Sequence, residues 1–218
     1  MCFSASASFI TAGVVGAVGM VTVARAKEPR EKPLAAIPIF FAIQQSIEGL
    51  LWLYLPMAPM DPTSSFLTYM FLLFAEVFWP IYAPITVLLV EPAPWRRILM
   101  AVCVVVGAAV AGDLLWWILS NAHTAVIRDN HIVYVTEPKH SDALGLAYLL
   151  ATGIAAIMSS HRIVIATGVI FFAGSVIAYA FYWEAFVSVW CFFAAAASGI
   201  IFFHFEFERK QRLRMAST

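Results

Sequence analysis

Long apolar stretches, each near the length of a bilayer crossing and cut apart by prolines and clustered charges, limit most strongly what this chain folds into. Runs near 5–24, 34–55, 66–89, 98–120, 142–159, 163–183 and 186–205 contain few charged side chains. At 1.5 Å per residue, a helix of roughly 20 residues crosses about 30 Å of hydrocarbon, and a backbone in that medium must bond to itself. Glu28, Pro29, Arg30 and Pro33 separate the first run from the second, Pro56, Pro59 and Pro62 the second from the third, and Pro92 and Pro94 the third from the fourth. The expected fold is all-α, a single domain over residues 1–218 built as an integral membrane bundle of seven transmembrane helices. With 62% hydrophobic and 12% charged residues, the chain holds more apolar surface than one water-soluble core can hide. The lipid bilayer is its expected partner. Formal net charge is zero, so no basic field for nucleic acid exists and no nucleic acid is expected.

Direction follows from the basic residues, which collect in short cytoplasmic loops. Arg25, Lys27, Arg30, Lys32, Arg96, Arg97, Arg162, Arg209, Lys210, Arg212 and Arg214 fall on one side, and only Arg128 and Lys139 on the other. With seven spans this predicts the amino terminus outside and the carboxyl terminus in the cytoplasm. The first run precedes its positive charges, as in an uncleaved reverse anchor. Pro38, Pro80 and Pro84 lie inside spans and predict kinks whose freed carbonyls need other donors. The long connection, 121–141, is an outer loop or small hairpin, with Thr124 to Ile127 and Ile132 to Thr136 as its strands and the outer face beneath it.

Three acids, Glu48, Glu76 and Asp113, sit inside these runs without an accompanying Lys or Arg, and ionisable groups there mark function by default. Counted from the predicted outer boundary, Glu48 and Asp113 lie roughly 10 Å deep and Glu76 about 15 Å. Gln44, Glu48 and Trp52 repeat at i, i+4 and i+8, Trp116 follows Asp113 by one turn, and Tyr179 adds a hydroxyl from the sixth span. Three arrangements neutralise such acids: they hold a proton, they hold a metal or substrate cation, or they face the chain's own amino terminus. Each predicts a polar pocket opening outward.

The chain begins Met1-Cys2-Phe3-Ser4, and loss of Met1 would leave an amine and a thiol on Cys2, a potential chelate. Cys2, Glu48, Asp113 and His140 form the candidate metal set, suited to zinc or another divalent ion. Ser4, Gln44, Gln45, Trp52, Glu76, Trp116 and Tyr179 form the candidate ligand pocket. The plainer alternatives are that Cys2 is a small residue at a helix start, Ser4, Ser6 or Ser8 a cap, and the acids protonated groups bonded across helices. His123, His131 and His140 cluster on the outer connection at spacings that match no compact zinc motif. Cys103 is expected to be free, whereas Cys2 and Cys191 share the outer half.

The opening Met-Cys-Phe-Ser-Ala, with Ala7-Ser8-Phe9 after it, and the stretch Phe41-Ala42-Ile43-Gln44-Gln45-Ser46-Ile47-Glu48-Gly49 with Trp52 resemble a bacterial family of multi-pass membrane proteins of unknown function. The resemblance implies a bacterial inner membrane and directs attention to Cys2, Ser4, Gln45, Glu48 and Trp52, without implying a reaction. Better-known seven-span families do not fit: no span contains the Lys a retinal protein needs, and His204 has no second histidine one turn on for a zinc amidase of the ceramidase type. The leading expectation is an outward-facing pocket that binds a metal ion, another cation or a small polar ligand. The first alternative is a membrane hydrolase in which a metal-bound water or the Cys2 thiolate attacks an ester or amide, with Glu48 as base and Tyr179 or Gln45 at the oxyanion. The second is a non-catalytic subunit whose acids only join helices.

Overall fold

Ser4 has an extended backbone and accepts a hydrogen bond from the Ala7 N–H at 3.2 Å, which starts α1 (Ala5–Arg25). Asp61 caps the rod from Pro62 to Val90 in the same way through Thr63 N–H at 2.8 Å, and Ser141 caps α6 (Asp142–Ile157) through Leu144 N–H. A first-turn proline opens α2 (Lys32–Tyr54) and α5 (Pro94–Ser120), where its missing N–H is not needed. The Pro62 rod comprises α3 (Pro62–Leu72), a π-helical turn (Leu73–Phe78) and α4 (Trp79–Val90). The remaining helices are α7 (Arg162–Phe181), α8 (Phe186–Ser198) and α9 (Ile201–Ala216). The structure, a computed structural model, describes residues 4–58, 61–136, 141–181 and 186–216.

The most buried of the long helices is α2. Of its most apolar stretch 61% is buried, against 28% for α1 and 33% for the Pro62 rod, α5 and α7. It runs antiparallel to α1, with Phe9 against Gly49, Ala42 against Gly16, and Pro38 and Ile39 against Gly19. Two apolar clusters fill the interior. One, at the end where the basic residues gather, includes Leu34, Phe41, Trp79, Met100 and Phe205. The other includes Leu51, Phe71, Ile132, Trp190 and Cys191 and lies beneath a β-hairpin.

That hairpin pairs β1 (His123–Arg128) with β2 (His131–Thr136), joined by Asp129 and Asn130, both at positive φ (46° and 59°). Such a two-residue turn matches the twist of the strands, and Asp and Asn tolerate its backbone. Ala125, Ile132 and Val133 are buried under it, the Tyr134 ring stacks on Phe71 at 4.6 Å, and His123 stands edge-on to Tyr69 and Trp117. The hairpin therefore closes one end of the bundle, and an all-α description is incomplete by these two strands.

At the opposite end, Glu91 is 2% exposed and grips the turn between α6 and α7: it accepts from the Ser160 hydroxyl, from Ser160 N–H at 2.7 Å and from Ala93 N–H at 3.1 Å. Arg96 donates to the carbonyls of Met158 (3.1 Å) and Ser159 (2.6 Å), and the His161 ring donates to Val90 O at 3.1 Å. Arg25 pairs with Glu206 and lies over the Phe202 ring, which ties α1 to α9.

Five stretches are long and apolar enough to cross a membrane: Ala5–Arg25, Pro29–Tyr54, Pro62–Val90, Pro94–Ser120 and Arg162–Phe181. Their outward side chains stay uncovered, with Ile98 and Val105 69%, Leu119 73% and Phe181 78% exposed. Apolar surface of this extent needs lipid around it, and the protein is membrane-associated. The two remaining expected spans are shorter. Ala143–Ile157 is apolar but brief, and the expected run 186–205 is not one helix, because α8 stops at Ser198, whose hydroxyl turns back to Ala195 O beside Gly199. Seven crossings do not follow from helix length alone.

Candidate functional site

Gln44, Gln45 and Glu48 are all at 0% exposure on α2. The i, i+4 spacing puts Gln44 and Glu48 on one face, and that face meets α8 where Ser188 and Cys191 stand at i, i+3. Because the helices run in opposite senses here, the residues pair as two rungs a helical turn apart. In one, the Ser188 hydroxyl donates to Glu48 Oε1 through a short hydrogen bond. In the other, Gln44 Nε2 donates to Cys191 Sγ at 3.0 Å while Gln44 Oε1 accepts from Trp79 Nε1 at 2.7 Å. Gln45 Nε2 completes the carboxyl's neighbours by donating to Glu48 Oε2 at 3.2 Å. Trp79 in turn lies flat on Phe41, centroids 3.9 Å apart, sealing the cluster toward the basic end. The hydrogen bonds to Glu48 come from neutral donors.

A second wall comes from the π-helical turn. Pro80 lacks an N–H, and the Trp79 N–H bonds to Phe74 O, five residues back, so Ala75 C=O loses its helical donor. The Tyr148 hydroxyl of α6 supplies the replacement at 2.6 Å. Glu76 projects from the same turn, half-buried, and both it and Cys191 lie within electrostatic reach of the Tyr148 hydroxyl. Trp190 meets the Tyr148 ring edge-on at 5.8 Å. The kink also draws α5 close: a Cβ at Gly107 would lie 1.8 Å from Pro80 O, so only glycine fits there.

Polar atoms around this cluster remain unmatched. Among the described residues, Gln45 Oε1, Trp52 Nε1, Trp190 Nε1 and Ser8 Oγ are buried without a hydrogen-bond partner. Ser8 belongs at this level because its neighbour Phe9 packs on Gly49. Native interiors contain few such atoms, and each asks for an explanation such as an enclosed water, ion or ligand. Of these, Gln45 Oε1 belongs to the amide that bonds Glu48, and Trp52 follows Glu48 by one turn of α2.

Of the expected pocket residues, Gln44, Gln45 and Glu48 come together against α8, while Trp52 lies one turn further along α2 and Glu76 on the π-helical turn near Tyr148. Ser4 does not join them: its hydroxyl caps α1 and contacts Ser6 Oγ at 3.2 Å. Asp113 and Trp116 do not either, because α5 turns Leu114 and Ile118 inward and leaves Asp113 and Trp116 exposed on its other face. Tyr179 is 54% exposed, with its ring against Phe186. Of the candidate metal ligands, Cys2 and His140 lie outside the described residues, and among the described residues no three His, Cys, Asp or Glu side chains are close enough together to hold a metal. Among the described residues Cys103 and Cys191 are not joined to each other by a disulfide. The residues that sequence reasoning missed are Trp79, Tyr148, Ser188 and Trp190; the i, i+3 pair of Ser188 and Cys191 in an otherwise apolar run was the available signal.

Comparison with curated proteins and with solved structures returns no match. One family model, described as a family of unknown function (DUF6629), matches residues 1–217, and on that full-length match the chain belongs to the DUF6629 family.

Proposed function

We propose that this is a polytopic protein of a bacterial plasma membrane, crossing it seven times with the hairpin end outside, and that it binds a small cation or polar ligand at the Glu48 cluster. The observation that carries the binding reading is a carboxyl at zero exposure whose hydrogen bonds come from the neutral Ser188 and Gln45, on two helices that also hold the unmatched atoms of Gln45, Trp52 and Trp190. An acid kept only to join helices would be cheaper as an amide or an apolar side chain, whereas an acid beside unmatched donors and an unmatched acceptor suits a guest offering both kinds of group. The seven-crossing reading is supported by the five long apolar stretches and by the asymmetry of basic residues, with Arg25, Arg30, Arg96, Arg162 and Arg209 opposite the hairpin's Arg128. The zinc form of the reading rests on Cys2 joining Glu48.

The test is native mass spectrometry and metal analysis of protein extracted directly from membranes, in wild type, Glu48→Gln and Gln45→Leu. A fixed mass adduct or stoichiometric metal in the wild type, lost in Glu48→Gln and weakened in Gln45→Leu, is the expected result. An adduct-free, metal-free wild type no less stable than Glu48→Gln would end the proposal and leave a helix-joining acid.

A further inference from the structure

Asp113 poses a problem that the Glu48 cluster does not solve. It is exposed on α5, seven residues before the helix ends at Ser120, which places it roughly 10 Å along the axis from that end. Among the described residues it has no hydrogen bond or ion pair. On the reading that α5 crosses the membrane, this acid faces hydrocarbon, where lipid tails offer it no donor and where an ionisable group is costly.

The surface around it is patterned. Ile98, Val102, Val105, Ala109, Gly112, Trp116 and Leu119 are all exposed and recur at alternating spacings of four and three, the repeat of a helix that pairs along one seam. The opposite face of α5, with Cys103, Gly107, Val110, Leu114 and Ile118, is the one packed against α4, the π-helical turn and α6. Gly112 has no internal reason to be glycine, since a Cβ there would meet nothing within 4 Å, in contrast to Gly107. Beside Asp113, one turn toward the hairpin end, stands Trp116, 72% exposed, with an indole N–H. The face therefore presents a hydrogen-bond acceptor, a donor at nearly the same depth, and a smooth small-residue seam at Ala109 and Gly112 between backbones.

We propose that this face is where a second copy of the chain docks, α5 packing in parallel on α5 through the Ile98-to-Leu119 seam. A two-fold axis along the membrane normal brings equal depths together, so the surface is complementary to itself. Each Asp113 carboxyl accepts from the indole N–H of Trp116 on the other copy, and the backbones close over Gly112. No other protein is required to satisfy either group.

The full-length chain in native membrane vesicles tests this. Under mild oxidation Gly112→Cys should yield a covalent dimer of this chain, while Val14→Cys, on the exposed face of α1, should not. In fused bilayers at decreasing protein density, photobleaching counts should show a wild-type dimer whose dissociation constant rises at least tenfold in Gly112→Ile and in Asp113→Leu. Gly112→Ile leaves the monomer intact because that position opens to empty space. Wild type that counts as a monomer at every density, Gly112→Cys that links no more than Val14→Cys, or Gly112→Cys that links to a different protein each overturns the proposal. Carbonate extraction of the same vesicles reports separately on the membrane reading: release of the chain would show that failure lay there.

Discussion

Glu91 and Glu48 are both almost fully enclosed acids, and their surroundings give them opposite roles. Burial pulls the Glu91 carboxyl up, but the Ser160 hydroxyl and N–H, the Ala93 N–H and the nearby Arg96 together hold it below its ordinary value of 4.5. A depressed carboxylate stabilises the fold at pH above its unfolded value, and that contribution disappears as pH falls through the lower folded value. Glu91→Gln is therefore expected to lower stability by about 1.5–3 kcal/mol at neutral pH, the range for hydrogen bonds to a charged group. The gap between variant and wild type should narrow as pH drops below about 4, and thermal melts in detergent at several pH values measure it. An unchanged gap across that range would mean that Glu91 acts without its charge. Glu48, by contrast, takes no backbone N–H among its hydrogen bonds, which come from the Ser188 hydroxyl and the Gln45 amide, and for that reason it marks the candidate site. Sequence placed Glu48 and Asp113 at the same depth but could not separate them, because depth comes from counting residues whereas the direction a residue faces depends on which neighbour its helix meets. Two inward residues one turn apart, Gln44 and Glu48, were legible from spacing alone, and their partners on α8 were not.

At the scale of the element, the Pro62 rod shows how much a local rule predicts. Pro80 inside an apolar run announces a defect and a freed carbonyl. It does not announce that the defect becomes a π-helical turn, that Ala75 is the carbonyl released, or that Tyr148, 73 residues away, satisfies it. Those depend on α6 lying beside the turn. Tyr148→Phe removes one hydroxyl and leaves Ala75 C=O bare in an apolar interior, so a loss of about 1–3 kcal/mol is expected, together with a change in the near-ultraviolet signal of Trp190, whose ring stands against Tyr148. A melt identical to wild type would show that another donor reaches Ala75. Gly107→Ala tests the same kink from the other side. Its Cβ would fall 1.8 Å from the Pro80 carbonyl oxygen, a backbone atom that cannot turn aside, whereas at Gly13 of α1 a Cβ meets nothing within 4 Å. Gly107→Ala should lower the yield of folded protein sharply and cost at least about 2–3 kcal/mol. Gly13→Ala should be neutral or gain up to about 1 kcal/mol from helix propensity. Equal behaviour of the two variants would mean that α5 does not pass Pro80 closely.

For the molecule as a whole, the apolar runs forecast most helix boundaries to within a few residues, since apolar length and proline punctuation are local properties. The exceptions lie late in the chain, where the expected seventh run is divided at Ser198 by a break that a mean over apolar residues cannot register. The two ends of the bundle differ in kind. One is closed by the hairpin on Phe71 and Trp190, and the other is tied by Glu91, Arg96, His161 and the Arg25–Glu206 pair, with most of the basic residues nearby. If the basic end faces the cytoplasm, charge alone sets the direction, and the direction is open to a test that does not depend on any ligand. Asn130, at the tip of the hairpin, and Lys27, between α1 and α2, are both exposed and belong to opposite ends. Replaced singly by cysteine, Asn130→Cys should react with a membrane-impermeant maleimide in intact cells at several times the level of the parent chain. Lys27→Cys should react only after the membrane is permeabilised. The reverse pattern would invert the orientation and turn the Glu48 cluster toward the cytoplasm, so that any guest would enter from inside the cell. Labelling of both in intact cells would require an even number of crossings among α2, the Pro62 rod and α5, so that at most two of the three could span the membrane. The hairpin packs on the same apolar cluster that holds Trp190 and Cys191, so the side on which Asn130 reacts is the side nearer the candidate site.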